Sequence, residues 1–257
     1  MFGIFLLPAA QIKAQFCIAA SSIDRWAAFS YQRVVKTLLL LFIALFTIGV
    51  AAYGEPGVAI AIVYDTSGSM SDKVQAAGGQ KQKYVIASEA LGKIVSKIDA
   101  YAKSGNKVQA GIVCFPGASN GANAVPFAAW NPEPFRKWLA GFNTPSGGTP
   151  LGEAILAASK LVADSPLAKK HVVVLTDGES NQGISPDEGV RSGLNYKKKE
   201  GAISYYFVAF DTSAAQFNDL KKKGAVVLSA GNETELQKGL TNIFTQKILL
   251  EEEEKQP

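Results

Sequence analysis

Uninterrupted apolar runs are the feature that most constrains how this chain can fold. Val58–Tyr64 and His171–Thr176 are almost entirely apolar, which is typical of strands that are covered on both faces. Amphipathic segments separate such runs, and Tyr84–Ala102 carries its apolar residues at helical spacing. Buried strands that alternate with helices predict an α/β fold with a doubly wound, mostly parallel sheet flanked by helices.

The remaining elements continue this alternation. Further strands are predicted at Val108–Phe115, Ala124–Ala128, Ala202–Phe210 and Ala225–Ser229, and further helices at Gly152–Ala163, Pro186–Glu200, Ala214–Lys223 and Glu233–Leu250. The chain shows no internal repeat and no interior linker, so we expect residues 55–250 to form one domain, followed by an acidic tail over residues 251–257. Ligands of such sheets bind outside the carboxyl ends of the strands, so the loops after the strands are of most interest.

The segment 34–54 is predicted to be a signal peptide or a membrane anchor. Residues 38–52 are apolar and uncharged and follow Arg33 and Lys36. A run of about 15 residues suits a signal-peptide core better than a membrane span, which needs about 20. Small residues before Tyr53 favour cleavage, and an uncleaved anchor is the alternative. Either form is expected to leave the domain outside the cytoplasm, because the basic flank stays inside.

Residues 1–33 are an N-terminal extension that a signal peptide does not need. An internal start near Val34 or Val35 is the alternative to a genuine N-terminus. The segment before Tyr53 has four basic residues and one acidic residue and accounts for +3 of the net charge of +4, which leaves +1 for residues 53–257. A nearly neutral domain without interleaved basic and aromatic residues argues against nucleic acid as a partner.

Oxygen-bearing side chains occupy three loops of the predicted domain. Asp65, Ser67 and Ser69 stand at a spacing of two after the first strand, and the glycine between the serines permits a tight turn. Asp177 ends the strand that begins at His171, where an unpaired carboxylate would be costly. Thr149 lies in a loop rich in glycine and proline, where it is either a helix cap or a ligand.

In the predicted fold these loops converge at the carboxyl edge of the sheet. They gather two carboxylates and three hydroxyls, with no imidazole or thiolate. Such hard oxygen donors suit Mg²⁺, Mn²⁺ or Ca²⁺ rather than zinc or copper.

The combined pattern resembles the von Willebrand factor A (vWA) family, whose hallmark is Asp-x-Ser-x-Ser, then a Thr, then an Asp, on three loops. Here the three fragments are DTSGSM at 65–70, GGTP at 147–150 and TDG at 176–178. The resemblance extends over about residues 57–250 and implies a Rossmann-like vWA fold with a metal-ion-dependent adhesion site (MIDAS). It further implies that the two serines and the threonine bind the metal directly when a ligand is engaged, whereas both aspartates act largely through water.

Other polar residues near these loops are less informative. Glu179 and Asn181 follow the third fragment and either modulate the site or belong to a solvated loop. His171 is the only histidine, and because no acid and nucleophile accompany it, we predict no catalytic role.

These observations predict an exported, non-enzymatic module that binds a protein partner through an acidic side chain of that partner. Association with a membrane through residues 38–52 is the alternative to release. A second hypothesis is a non-catalytic vWA subunit of a larger enzyme or of an envelope assembly. Nucleotide-driven metal-insertion machines contain such subunits, but they act in the cytoplasm, whereas this chain has a predicted export leader and no GxxxxGK[ST] loop.

Overall fold

The computed structural model describes Lys36 and residues 54–115, 123–178, 180–196 and 202–249. The compact unit considered below begins at Gly54. The predicted leader over 38–52, Glu179 and the acidic tail lie outside the described residues. Within the described part, no helix has the length and apolar character that crossing a membrane requires.

Eight strands and six α-helices make up the described domain. The strands are β1 (Glu55–Tyr64), β2 (Lys73–Ala76), β3 (Gly79–Gln82), β4 (Val108–Cys114), β5 (Asn123–Ala129), β6 (Leu167–Thr176), β7 (Ile203–Phe210) and β8 (Val226–Ala230). The helices are α1 (Lys83–Lys103), α2 (Pro132–Gly141), α3 (Leu151–Ala163), α4 (Pro186–Asn195), α5 (Asn218–Lys222) and α6 (Glu233–Asn242), with 3₁₀ turns at Gly68–Ser71 and Ala214–Phe217 and a π-helical turn at Ile243–Ile248.

Six strands form one sheet in the order β5-β4-β1-β6-β7-β8, and β2 and β3 form a separate hairpin. Every neighbouring pair in the large sheet is parallel except β4 with β5. The predicted doubly wound, mostly parallel sheet is therefore confirmed. Because β1 lies between β4 and β6, the carboxyl ends of these three strands meet at one edge.

Both faces of β1 are buried, as its apolar run predicts. Ile60 and Ile62 point into a core shared with α1, whereas Ala61 and Val63 point into the opposite core, shared with α3. All four side chains are at most 1% exposed. A strand this deeply placed holds the residue that follows it in a fixed position, which matters for Asp65.

Helices α3 and α4 cross at very short range. A Cβ added at Gly189 would lie 2.4 Å from the carbonyl oxygen of Gly152. Only residues without a side chain permit this approach, so the glycines at 152 and 189 let the two helices pack closely.

The structure differs from the predicted elements in several places. The β2–β3 hairpin and helix α2 were not predicted, because the hairpin is short and polar and α2 buries only Phe135 and Leu139. Their local signals are the Gly78-Gly79 turn, with positive φ at both glycines, and the cap at Asn131. The helix predicted to end at Glu200 ends at Asn195, and the last helix changes to π-helical geometry at Ile243.

Candidate functional site

Three loops meet at the carboxyl edge of the sheet. The loop after β1 is tied to the loop before α3 by two main-chain hydrogen bonds, from Gly68 N to Gly147 O at 3.2 Å and from Ser146 N to Thr66 O at 2.9 Å. The loop after β6 lies beside them because β6 is the parallel neighbour of β1.

Asp65 is fully buried and both of its carboxylate oxygens accept hydrogen bonds. Oδ1 accepts from the main-chain N–H of Ser67 at 2.8 Å, and Oδ2 accepts from the hydroxyl of Thr176 at 2.6 Å. Burial raises the pKa of Asp65, the hydrogen bonds from Ser67 and Thr176 oppose that rise, and the nearby charge of Asp177 adds to it. The carboxylate is therefore held rigidly at the start of the loop.

A continuous chain of oxygens runs from Ser67 to Asp177. The hydroxyl of Ser69 donates to Asp177 Oδ1 at 2.9 Å, and the hydroxyls of Ser67 and Ser69 are 3.0 Å apart. Since one hydroxyl has a single proton, Ser69 must accept from Ser67 in this arrangement. The structure thus brings together four of the five residues predicted for the site: Asp65, Ser67, Ser69 and Asp177.

Thr149, the fifth predicted residue, faces the same space. Its hydroxyl oxygen is 3.9 Å, and that of Ser69 3.8 Å, from the point where a Cβ at Gly178 would lie. The N-cap of α3 is Pro150 rather than Thr149, so the helix-cap alternative for this threonine is wrong. Thr149 is only 3% exposed, although it belongs to a loop.

Asn181 holds the main chain of Thr149 from both sides. Its Oδ1 accepts from the N–H of Thr149 at 2.8 Å, and its own N–H donates to the carbonyl of Thr149 at 3.2 Å. Ser180 Oγ donates to that carbonyl as well, at 3.2 Å. Asn181 is exposed, as a solvated loop residue would be, yet it also fixes a residue of the site.

Lys83 and Asp211 belong to the same cluster and were not predicted. Lys83 is the first residue of α1 and is 5% exposed, and its Nζ lies 3.0 Å from Asp177 Oδ2 and 3.0 Å from Asp211 Oδ2. Burial alone would lower the pKa of Lys83, but the hydrogen bonds and charges of both aspartates outweigh it and leave the pKa raised. The sequence signal was the position of Asp211 directly after β7, like that of Asp65 after β1.

His171 lies in the middle of β6, five residues before Thr176 at this edge, in register with Ile60 of β1. Burial lowers its pKa to about 4, and the positive charge of Lys169 contributes. Among the described residues neither ring nitrogen has a hydrogen-bond partner. In the part of the chain that is described, no nucleophile or acid is therefore hydrogen-bonded to this imidazole.

The cluster is rich in hydroxyls rather than in the usual metal-binding side chains. Over the described ranges, no group of three or more His, Cys, Asp or Glu side chains is placed to hold a metal ion. Any cation at the carboxyl edge would therefore depend on the serines and the threonine as much as on the two carboxylates.

Comparison with known families identifies the class of protein. The family model of the von Willebrand factor type A domain matches residues 59–245, which include all five predicted site residues. The chain belongs to this family. No curated protein sequence matches it.

Solved structures with the same fold include a bacterial minor pilin and a bacterial pilus adhesin. The PilB minor pilin from Streptococcus sanguinis superposes with a TM-score of 0.54 at 17% identity, over 74% of this chain and 61% of the pilin chain. The pilus adhesin SpaC from Lactobacillus rhamnosus GG has a TM-score of 0.56 at 15% identity, over 73% of this chain and 30% of the adhesin. This chain thus spans less than two thirds of either protein.

A third structure is the proximal thread matrix protein 1 from the mussel byssus with a zinc-occupied MIDAS motif. It has a TM-score of 0.52 at 19% identity, over 75% of this chain and 48% of the matrix protein. At these identities the three likenesses establish a shared fold.

Proposed function

We propose that this protein is an exported, metal-dependent binding module. Its divalent cation is held by Asp65, Ser67, Ser69, Thr149 and Asp177, and its partner supplies a carboxylate. The observation that carries the proposal is the run of oxygens from Ser67 through Ser69 to Asp177, with separations of 3.0 and 2.9 Å.

These separations suit an octahedral cation. Neighbouring ligands of a Mg²⁺ ion that binds oxygen at about 2.1 Å lie about 3 Å from one another. Hydroxyls and carboxylates are also the donors that Mg²⁺, Mn²⁺ and Ca²⁺ prefer. The zinc-occupied MIDAS of the mussel protein supports a metal role for this fold, and the expected ion here is Mg²⁺, with Mn²⁺ or Ca²⁺ as alternatives.

In this proposal, some residues of the site bind the cation directly and others orient the loop. Ser67, Ser69 and Thr149 offer neutral oxygens, so a bound cation would keep its attraction for an anionic ligand from outside. Asp65 is fixed by Ser67 N and Thr176 Oγ1, and it orients the loop rather than giving both oxygens to the ion. A metal bound there would supply an electrophilic position for the partner's carboxylate.

The same geometry supports binding rather than catalysis as the proposed role. The hydroxyls of Ser67 and Ser69 hydrogen-bond one another, and His171 lies in the middle of β6, five residues before the end of the strand. The alternative is a non-catalytic subunit of a larger enzyme or envelope assembly, and the likeness to a minor pilin supports it. In that case contacts with neighbours would not require metal.

Capture of a partner with and without metal tests the proposal. The immobilised full chain is exposed to an envelope extract of its source cells in millimolar Mg²⁺ or in EDTA. We expect one or more proteins to be retained in Mg²⁺ and lost in EDTA, and Asp65→Ala to behave like EDTA treatment. Asp164→Ala is the matched control, since it removes an exposed aspartate at the far end of α3. Retention that is equal in all four samples would favour the metal-independent assembly role.

A further inference from the structure

The charge balance of the site depends on Lys83. Its side chain is 7% exposed and its Nζ lies between a carboxylate that is 0% exposed, Asp177, and one that is 42% exposed, Asp211. The main-chain N–H of Lys83 donates to Asp72 O at 2.9 Å, so the first turn of α1 is anchored to the segment that follows the site loop. Both the main chain and the ammonium group of Lys83 are therefore held in place, the first by Asp72 and the second by the two aspartates.

Asp177 divides its two oxygens between the site and the lysine. Oδ1 accepts from Ser69, which faces the candidate cation position, and Oδ2 accepts from Lys83. A buried carboxylate without a positive partner is strongly unfavourable, and the effect is greater here because Asp65 is also buried close by. In the absence of metal, Lys83 supplies the positive charge that Asp177 requires.

A divalent cation beside Ser69 would place two more positive charges near the same carboxylate. Because the surroundings are buried, the repulsion between that cation and Lys83 is only weakly screened. Asp211 moderates this repulsion, since its carboxylate also lies 3.0 Å from the ammonium group and shares its charge. Its main chain, at φ 53°, turns the carboxylate back toward α1 directly after β7.

We infer that Lys83 is a built-in counter-cation of the site, which keeps the metal-free domain stable and weakens its affinity for the divalent ion. Asp211 opposes it and raises that affinity, although it belongs to neither of the loops that contribute the serines and the threonine. The inference rests on the proposed metal site. It deepens that proposal, because it names two residues that set how much free metal the protein needs.

Two substitutions with opposite expected effects provide the test. Lys83→Met keeps the length of the side chain and removes its charge, and we expect it to bind Mn²⁺ at least tenfold more tightly than the wild type in calorimetric titration. Asp211→Asn removes one of the two carboxylates that pair with Lys83, so the positive charge of Lys83 is balanced by Asp177 alone. We expect this variant to bind Mn²⁺ several-fold more weakly than the wild type. Asparagine tolerates the positive φ at this position.

Lys81→Met is the matched control for the loss of one positive charge from the same segment. Lys81 pairs with Glu89 at 2.9 Å, and its side chain is 34% exposed. We expect its Mn²⁺ affinity to stay within twofold of the wild type. Melting curves add a second readout. In EDTA, the melting temperature of Lys83→Met should be lower than that of the wild type. Addition of Mn²⁺ should raise the melting temperature of Lys83→Met by more than it raises that of the wild type.

The outcomes separate this inference from the proposed function. If the wild type binds Mn²⁺ and Lys83→Met binds it with equal or lower affinity, the counter-cation role is overturned and the proposed metal site stands. Absence of Mn²⁺ binding in both proteins would overturn both proposals. If Lys83→Met does not fold in EDTA, the titration of Asp211→Asn decides, and an affinity equal to or above that of the wild type would refute the inference.

Discussion

The hydroxyl of Thr176 donates a hydrogen bond of 2.6 Å to Oδ2 of Asp65, so the last residue of β6 holds the first carboxylate after β1. This contact joins two neighbouring strands at the edge where the site lies. It also accounts for how an aspartate with no exposed surface is tolerated, because each of its oxygens has a donor.

Thr176→Val should destabilise the domain, since valine has the same shape but leaves Oδ2 of the buried Asp65 without that donor. We expect a loss of about 1–3 kcal/mol of unfolding free energy in urea denaturation with EDTA present. Thr245→Val is the control, because the hydroxyl of Thr245 bonds the carbonyl of Thr241 within its own helical segment and lies outside the site. A Thr176→Val protein as stable as the control would show that this contact is not important for Asp65.

Metal should stabilise the folded domain, because the site exists only in the folded state. Binding at a hundredfold excess over Kd adds about 2.7 kcal/mol, which for a domain of this size is about 5–10 °C in melting temperature. Differential scanning fluorimetry in EDTA and in millimolar Mg²⁺ or Mn²⁺ measures this shift. We expect Asp65→Ala to lose the shift and Asp164→Ala to keep it. If none of these ions changes the melting temperature of the wild-type protein, the result would count against the metal site.

Thr149 should matter more for binding than for stability, since its hydroxyl faces the cation position and does not cap α3. Thr149→Val keeps the shape of the side chain and removes the hydroxyl, whereas Thr149→Ser keeps the hydroxyl. In Mg²⁺ we expect the valine variant to bind the captured partner at least tenfold more weakly, and the serine variant to bind like the wild type. Both should unfold within about 1 kcal/mol of the wild type. Equal binding by the two variants would exclude this oxygen as a ligand.

His171 should make the domain less stable in weak acid. Its pKa is about 4 in the folded protein against 6.5 for an ordinary histidine, so the unfolded chain takes up the proton first. The stability that depends on a neutral His171 is complete above pH 6.5, falls as the pH is lowered, and is lost by about pH 4, a change of about 3 kcal/mol.

His171→Leu should remove this part of the pH dependence, because leucine cannot take up a proton. Urea denaturation of both proteins between pH 7 and pH 4.5 isolates the contribution of the histidine from that of the carboxylates. The stability difference between variant and wild type should shift in favour of the variant as the pH falls. Parallel curves would mean that the imidazole is hydrated or paired in solution.

Two glycine substitutions should have opposite effects on stability. Gly189→Ala would place a Cβ 2.4 Å from the carbonyl oxygen of Gly152, and we expect a loss of about 1–3 kcal/mol as α3 and α4 move apart. At Gly92 in α1, an added Cβ would meet nothing within 4 Å among the described residues beyond its own helix, so Gly92→Ala should stabilise the protein by about 0.5–1 kcal/mol through helix propensity. A stable Gly189→Ala protein would show that the crossing of these helices can relax.

Much of the architecture could be predicted because the signals are local. The apolar runs of β1 and β6 specify strands buried on both faces, and the helical spacing in α1 and α3 specifies what covers them. Once such strands are parallel neighbours, Asp65 and Asp177 must end up side by side. The family pattern added Thr149, which neither spacing nor hydropathy identifies by itself.

Only the tertiary structure decided what neutralises these carboxylates. Lys83 and Asp177 are 94 positions apart, and in the sequence Lys83 is one of two lysines just before the predicted amphipathic helix. Nothing local distinguishes it from Lys81, which is paired at the surface, because burial and charge pairing depend on where the whole helix packs. The sequence by itself determined which oxygens reach the edge of the sheet. The packing of α1 and the turn after β7 decided which charges surround them, since electrostatic partners are chosen by distance in space rather than along the chain.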